Sequence, residues 1–308
     1  MRQAQIDPRL SVRVIASRAL RYDRPAEAID DRPDHVRAAS GLAMHGGRLV
    51  VIQDDASFFA VVTSAGVSAI KLPRGLEGRR RFEVAIGNKL DKLDLESCVA
   101  IDDELWAFGS GSLPIREKIC RVRHAVPRVL DAAPLYGRLR EALGSGVNLE
   151  GAARVGEQLW LLHRGNTGGG DVGPAILKIA LDPMRAWLDG RAALPPIDAI
   201  EGFDLGSIEG HRLGFTDAVA HGGGILYLAT AEAASNAVDD GRVLGSHLGM
   251  ITGEAIRAAP LLGVDGAPVK AEGLALDPAR PGHGWVALDP DDPDRPASLL
   301  EIELVGPW

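Results

Sequence analysis

The chain has 308 residues, enough for one large all-β domain spanning 1–308, and 46 % of them are hydrophobic, as in soluble globular proteins. Its 34 basic and 42 acidic side chains leave a net charge of −8. That balance excludes a broad nucleic-acid or anionic-membrane surface, because phosphates reward clustered Lys and Arg.

The N-terminus, MRQAQIDPRL, lacks an apolar h-region and a cleavage pattern, and no apolar run approaches bilayer length, so a cytoplasmic address is expected. Leu10 to Leu20 reads as a strand. The next stretch, SGLAMHGGRLVVIQDD from Ser40, introduces a pattern: an oxygen-bearing side chain, a short small-or-apolar run, a turn, then an apolar strand. It returns as ESCVAIDDELWAFGSGS at Glu96, EGAARVGEQLWLLHRGN at Glu150, TDAVAHGGGILYLATAE at Thr216 and EGLALDPARPGHGWVALDP at Glu272, at spacings of 56, 54, 66 and 56. Each copy is a hairpin of two buried strands, and a strand-bearing period near fifty points to propeller blades.

Filling in each repeat gives four strands in blade one (Leu42 to Met44, Leu49 to Gln53, Phe58 to Val62, Val67 to Leu72) and four in blade two (Cys98 to Ile101, Leu105 to Phe108, Lys118 to Val122, Arg128 to Leu130). Blade three holds Ala152 to Val155, Leu159 to His163 and Ile176 to Leu181, with its fourth strand and a short helix assigned to the irregular stretch Pro183 to Gly210. Blade four holds Ala218 to Ala220, Ile225 to Thr230, Leu248 to Thr252 and Ala255 to Leu262. Blade five offers Leu274 to Asp277, Trp285 to Leu288 and Leu299 to Leu304, one strand short. Supplying that strand from Leu10 to Leu20 closes the ring and removes two exposed sheet edges. The expected fold is therefore an all-β, five-bladed β-propeller of four-stranded antiparallel blades. Cys98 and Cys120 fall on the first and third strands of blade two, too far apart for a disulfide, and are expected as buried thiols.

The residue opening each copy lies where the innermost strand enters the central channel, so Ser40, Glu96, Glu150, Thr216 and Glu272 should converge. Three carboxylates in one channel repel unless a cation compensates them. An oxygen-only donor set without Cys or His suits a hard ion that tolerates varied geometry, which favours Ca2+ over zinc or magnesium. The alternative is a metal-free channel with the acids capped by amides and water. At the fourth position, matching His221-Gly222-Gly223 to His45-Gly46-Gly47 selects Thr216, whereas counting nine back from Leu226 selects Asp217; Thr216 is preferred.

This order of Ser, Glu, Glu, Ser or Thr, Glu resembles the soluble calcium-activated nucleotidases, the apyrases. Ser40-Gly41-Leu42 is similar to their Ser-Glu-Leu element, Phe215-Thr216-Asp217 to their Phe-Ser-Ser and Ala271-Glu272-Gly273 to their Tyr-Glu-Gly, with Glu96 and Glu150 as the two middle acids. The resemblance implies a five-bladed propeller with calcium in its channel that hydrolyses nucleoside di- and triphosphates. The family's other signature stretches are absent, so nucleotide specificity is not carried over.

Loops around the ring residues open on one face. Candidates for a hydrolytic site there are Asp94 or His163 to activate water and Arg164, Asn166, Arg212 and Lys270 to hold a small anionic ligand. The acidic turn Asp289-Pro290-Asp291-Asp292-Pro293-Asp294 resembles a calcium-friendly loop, though such turns are usually only solvated, and Ser235 to Asp240 is expected as a mobile tip over the same face. P-loop, zincin, C-x-x-C and G-x-S-x-G motifs are absent. Two functional classes follow: a calcium-dependent hydrolase of small phosphorylated or ester substrates, or a non-catalytic propeller with a structural calcium ion whose rim binds a small ligand or protein.

Overall fold

A computed structural model describes residues 1–166, 170–233 and 241–308. Five antiparallel four-stranded sheets surround a common channel, and in the first four the strand order follows the chain outward from the axis. Blade one is Ala39–His45, Arg48–Gln53, Phe58–Thr63 and Gly66–Lys71. Blade two is Leu95–Ile101, Glu104–Gly109, Lys118–Arg123 and Val126–Asp131. Blade three is Leu149–Val155, Gln158–His163, Ala175–Ala180 and Ala199–Asp204. Blade four is Gly214–His221, Gly224–Ala233, Arg242–Thr252 and Ala255–Leu261.

Blade five combines Ala271–Leu276, His283–Leu288 and Ser298–Val305 with Ser11–Ala19, which pairs antiparallel to Ser298–Val305 as expected. The C-terminal sheet edge is thereby covered by the start of the chain.

Every blade buries both faces, which explains why the second strands read as continuous apolar runs instead of alternating ones. In blade one, Val50 and Ile52 pack toward blade two, whereas Leu49 and Val51 pack toward blade five. Among the described residues five hydrophobic cores result, one between each pair of neighbouring blades. The core between blades two and three is enlarged by two helices. Helix Leu181–Leu188 begins two residues before the stretch Pro183 to Gly210 expected to hold one and overlaps its start. Helix Ala133–Leu143 was not anticipated; its Leu135, Leu139 and Leu143 repeat at helical spacing and are buried, and Gly144 ends it in the left-handed region at φ 67°.

Two further elements also escaped the sequence reading. Arg2–Gln3 runs parallel to the outer strand of blade three, and Gln5–Ile6 runs parallel to that of blade four. Both are too short to show a period. Cys98 and Cys120 are free and buried, each paired in register with Ala107 on the strand between them.

Candidate functional site

The five predicted ring residues share one backbone feature. In each innermost strand the ladder slips by one residue at that position: Ala39 pairs with Gln53 and Gly41 with Ile52, leaving Ser40 unpaired, and the same slip isolates Glu96, Glu150, Thr216 and Glu272. A β-bulge of this kind re-aims one side chain out of the sheet alternation. Thr216, and not Asp217, occupies the bulge of blade four.

The ring does not behave uniformly. Glu96, Glu150, Glu272 and Ser40 line a funnel of about 720 Å3 at one mouth of the channel, whereas Thr216 is fully buried outside its wall. Both hydroxyls staple neighbouring blades: Ser40 Oγ donates to Leu95 O and Thr216 Oγ1 to Ala271 O, each at 2.6 Å, so each grips the residue before the next ring acid. Burial raises all three glutamates above the usual carboxylate range; Asp54 and Asp94 add to this at Glu96, while Arg164 opposes it at Glu150 and Lys270 at Glu272.

Below the ring the channel narrows to a waist. A Cβ on Gly273 would lie 2.8 Å from Leu42 Cβ, and one on Gly151 would lie 3.4 Å from the Asp217 carbonyl carbon. Asp217 fills the waist, accepting amide hydrogens from Ala218, Leu274 and Leu42 at 2.8, 2.8 and 3.3 Å.

Protein cations stand between the acids. Lys92 contacts Asp54 and lies 2.6 Å from Asp94, which also meets Arg116 at 2.9 Å. Arg164 bridges Glu150 at 2.7 Å and Glu232 at 3.0 Å, and Gly214 makes room for it, since a Cβ there would lie 2.5 Å from Arg164 Cγ. Lys270 faces Asp291, Glu232, Glu272 and Asp289. Among the described residues of the wall, seven Lys and Arg stand against eleven Asp and Glu, an excess of four acidic side chains.

Several sequence candidates stand differently from expectation. His163 has no exposed surface and does not line the funnel; Nδ1 accepts the Asn148 amide at 3.0 Å, so the ring holds a loop. Asp94 lines the funnel, but its burial is outweighed by Lys92 and Arg116, which hold it below the usual carboxylate range. Asn166 reaches Gly146 O at 3.1 Å from the rim, and Arg212 is 44 % exposed there while paired with Asp171 at 2.6 Å. The loop at 167–169 and the predicted tip Ser235 to Asp240 lie outside the described residues.

Sequence reading missed Arg37, which lines the funnel and joins Asp55 at 2.8 Å to Glu83 at 2.9 Å, and Arg116. A signal existed. Arg37, Lys92 and Lys270 precede their ring residues Ser40, Glu96 and Glu272 by two to four positions, so a cation enters the funnel just ahead of three bulges.

The donor set suits a hard cation. The ring offers only oxygens, and among the described residues no hydrogen-bond donor reaches the buried Glu272 Oε1 or Glu232 Oε1. Asp54, Asp94 and Glu96 also bring carboxylate oxygens within 4.8 Å of one another.

A family model matches residues 35–304. The chain belongs to the family of unknown function DUF6929. No curated protein matches it. Among solved structures it is similar to Myxococcus xanthus glutaminyl cyclase, with 10 % identity, TM-score 0.47, and 97 % of this chain and 98 % of that one covered. It is also similar to a putative oxidoreductase (glucose dehydrogenase) of Thermus thermophilus, with 11 % identity, TM-score 0.44 and coverage of 95 % and 99 %. A Bacteroides thetaiotaomicron protein of unknown function gives 7 % identity, TM-score 0.45 and coverage of 94 % and 75 %. The expected five-bladed architecture is present, whereas none of these matches is to a calcium-activated nucleotidase. No described helix is long and apolar enough to cross a membrane.

Proposed function

We propose that this propeller is a cation-binding protein whose charged funnel holds calcium, with Glu96, Glu150 and Glu272 as the carboxylate donors, while the ring hydroxyls of Ser40 and Thr216 brace the blades that carry them. The observation that carries the reading is the excess of four acids in the funnel wall, focused by bulges that turn three glutamates into it. A divalent ion offsets carboxylate repulsion that burial makes costly.

Binding is favoured over hydrolysis by the state of the catalytic candidates. Asp94 is a weakened base between two cations, and His163 is enclosed. The cations that would grip a phosphate or ester are already engaged: Arg164 by two glutamates, Lys270 by a carboxylate cluster, Arg212 by Asp171. When bound, calcium would supply a fixed positive centre at the floor, above which a small anionic molecule would dock.

Calcium titration of chelator-treated protein, read by calorimetry and by thermal unfolding with magnesium as the comparison, tests this. A calcium-specific heat and a rise in Tm are expected, both weakened in Glu96→Gln, Glu150→Gln and Glu272→Gln. Absence of any calcium effect at millimolar concentration defeats the proposal. A turnover screen with nucleotides, phosphate esters and lactones is expected to stay silent; calcium-dependent turnover would move the protein to the hydrolase class.

A further inference from the structure

The ammonium of Lys270 is surrounded by four carboxylates: Asp291 at 2.5 Å, Glu232 at 3.4 Å, and Glu272 and Asp289 each at 3.7 Å. Only the contact with Asp291 has hydrogen-bond length. Glu232 and Glu272 point their Oε1 atoms at Lys270 without receiving a hydrogen bond, although their side chains are only 10 % and 7 % exposed. The other cation beside this cluster is Arg164, which takes the second oxygen of Glu232. Arg164 also pairs with Glu150, so five carboxyl groups stand against two cations in a pocket where Lys270 itself is 9 % exposed.

We propose that this cage is itself the seat of the divalent cation, off the channel axis, and that Lys270 is a tethered counter-ion that vacates it when the metal enters. The proposal rests on the reading of the funnel as a cation site, and it changes the ligand set: Glu232 and Asp289 join Glu272, while Ser40 and Thr216 keep their blade-stapling bonds. Oxygens 3.4 to 3.7 Å from a central nitrogen need to close in by roughly 1 Å to reach calcium distances. The Lys270 stem is flexible enough to swing into the open funnel above. Asp289 and Asp291 come from the acidic turn Asp289 to Asp294, so one loop supplies two of the four carboxylates.

The test is calcium affinity by calorimetry on the full chain, comparing wild type with Lys270→Met, Glu232→Gln, Asp289→Asn and Glu96→Gln. Removing the competing ammonium is expected to tighten calcium binding at least about tenfold, and each cage substitution to weaken it by a similar factor. Should Lys270→Met fail to fold without metal, the Glu232→Gln and Asp289→Asn proteins decide the matter. Unchanged or weaker binding in Lys270→Met overturns the proposal, as does unchanged binding in both cage variants. If Glu96→Gln abolishes binding while the cage variants leave it intact, the axial ring stands and the cage falls; if calcium binds none of the proteins, both readings fall together.

Discussion

The carboxylate of Asp217, on the innermost strand of blade four, accepts the backbone N–H of Leu274 in blade five at 2.8 Å. The same oxygen takes the amide of Leu42 in blade one at 3.3 Å, and its partner oxygen takes that of Ala218. One side chain therefore ties three blades at the waist beneath the funnel, and its location there separates a polar mouth from an apolar one lined by Leu42, Val99, Ala153 and Leu274.

Asp217→Ala strips these amides of their acceptor in a site without solvent. Each unsatisfied buried group costs about 1–3 kcal/mol, so a loss of about 3 kcal/mol or more is expected in urea unfolding. Asp217→Asn, which keeps one carbonyl oxygen, should lose less. Equal, negligible losses in both would show that the waist does not depend on this residue.

Stability should fall with rising pH in metal-free protein. Asp55 is pushed up to about 7 and Asp289 to about 8, in both cases mainly by burial, with neighbouring carboxylates adding to it. Groups whose folded pKa is raised bind more protons folded than unfolded, so their stabilisation is complete below the ordinary Asp range and disappears as pH climbs through about 7 to 8. Chemical unfolding at pH 5 and pH 8.5 measures the slope. Asp289→Asn should flatten it, and saturating calcium should reverse part of the loss by neutralising the funnel.

Gly214→Ala should uncouple Arg164. The added Cβ would lie 2.5 Å from Arg164 Cγ and 3.0 Å from its carbonyl oxygen, and backbone on one side leaves little room to give. Overpacking of this kind costs about 1–3 kcal/mol. The same protein should show altered calcium binding because Glu150 and Glu232 lose their shared partner; wild-type stability and affinity would refute the role given to the glycine.

Deleting residues 1–19 removes the strand that closes blade five and exposes the edge of Ser298–Val305. Light scattering and size-exclusion chromatography should report association or aggregation, because an open apolar edge pairs with other chains. A monomeric, cooperatively folding product would contradict the closure argument.

Both thiols should be silent in native protein. Burial pushes Cys120 up to about 12 and Cys98 well above the ordinary thiol range, where the Asp217 charge adds to the effect. A thiol reagent should count none before denaturation and two after; rapid native labelling of either would show that blade two opens.

The bulk of the architecture was legible because it is written in short-range pattern. Apolar second strands, turn residues and a recurring oxygen at each strand entry repeat along the chain, and the missing strand of the last blade had one matching candidate at the N-terminus. Helix Ala133–Leu143 lay outside the repeat and was overlooked, although its own apolar spacing was readable. What the sequence determined by itself was which residue types stand at each bulge. Whether a given side chain faces the funnel, a neighbouring blade or the core was decided only in three dimensions: Glu150 and Thr216 hold equivalent places in the repeat, yet one lines the cavity and the other is sealed against Ala271 O. The same holds for the cations that meet these acids, since Lys270 and Arg164 lie far apart along the chain and converge on Glu232 only because the circle of blades brings separate loops to one mouth. Hydrophobic period sets the blades locally, whereas charge pairing depends on distances of a few ångströms between segments that share no pattern.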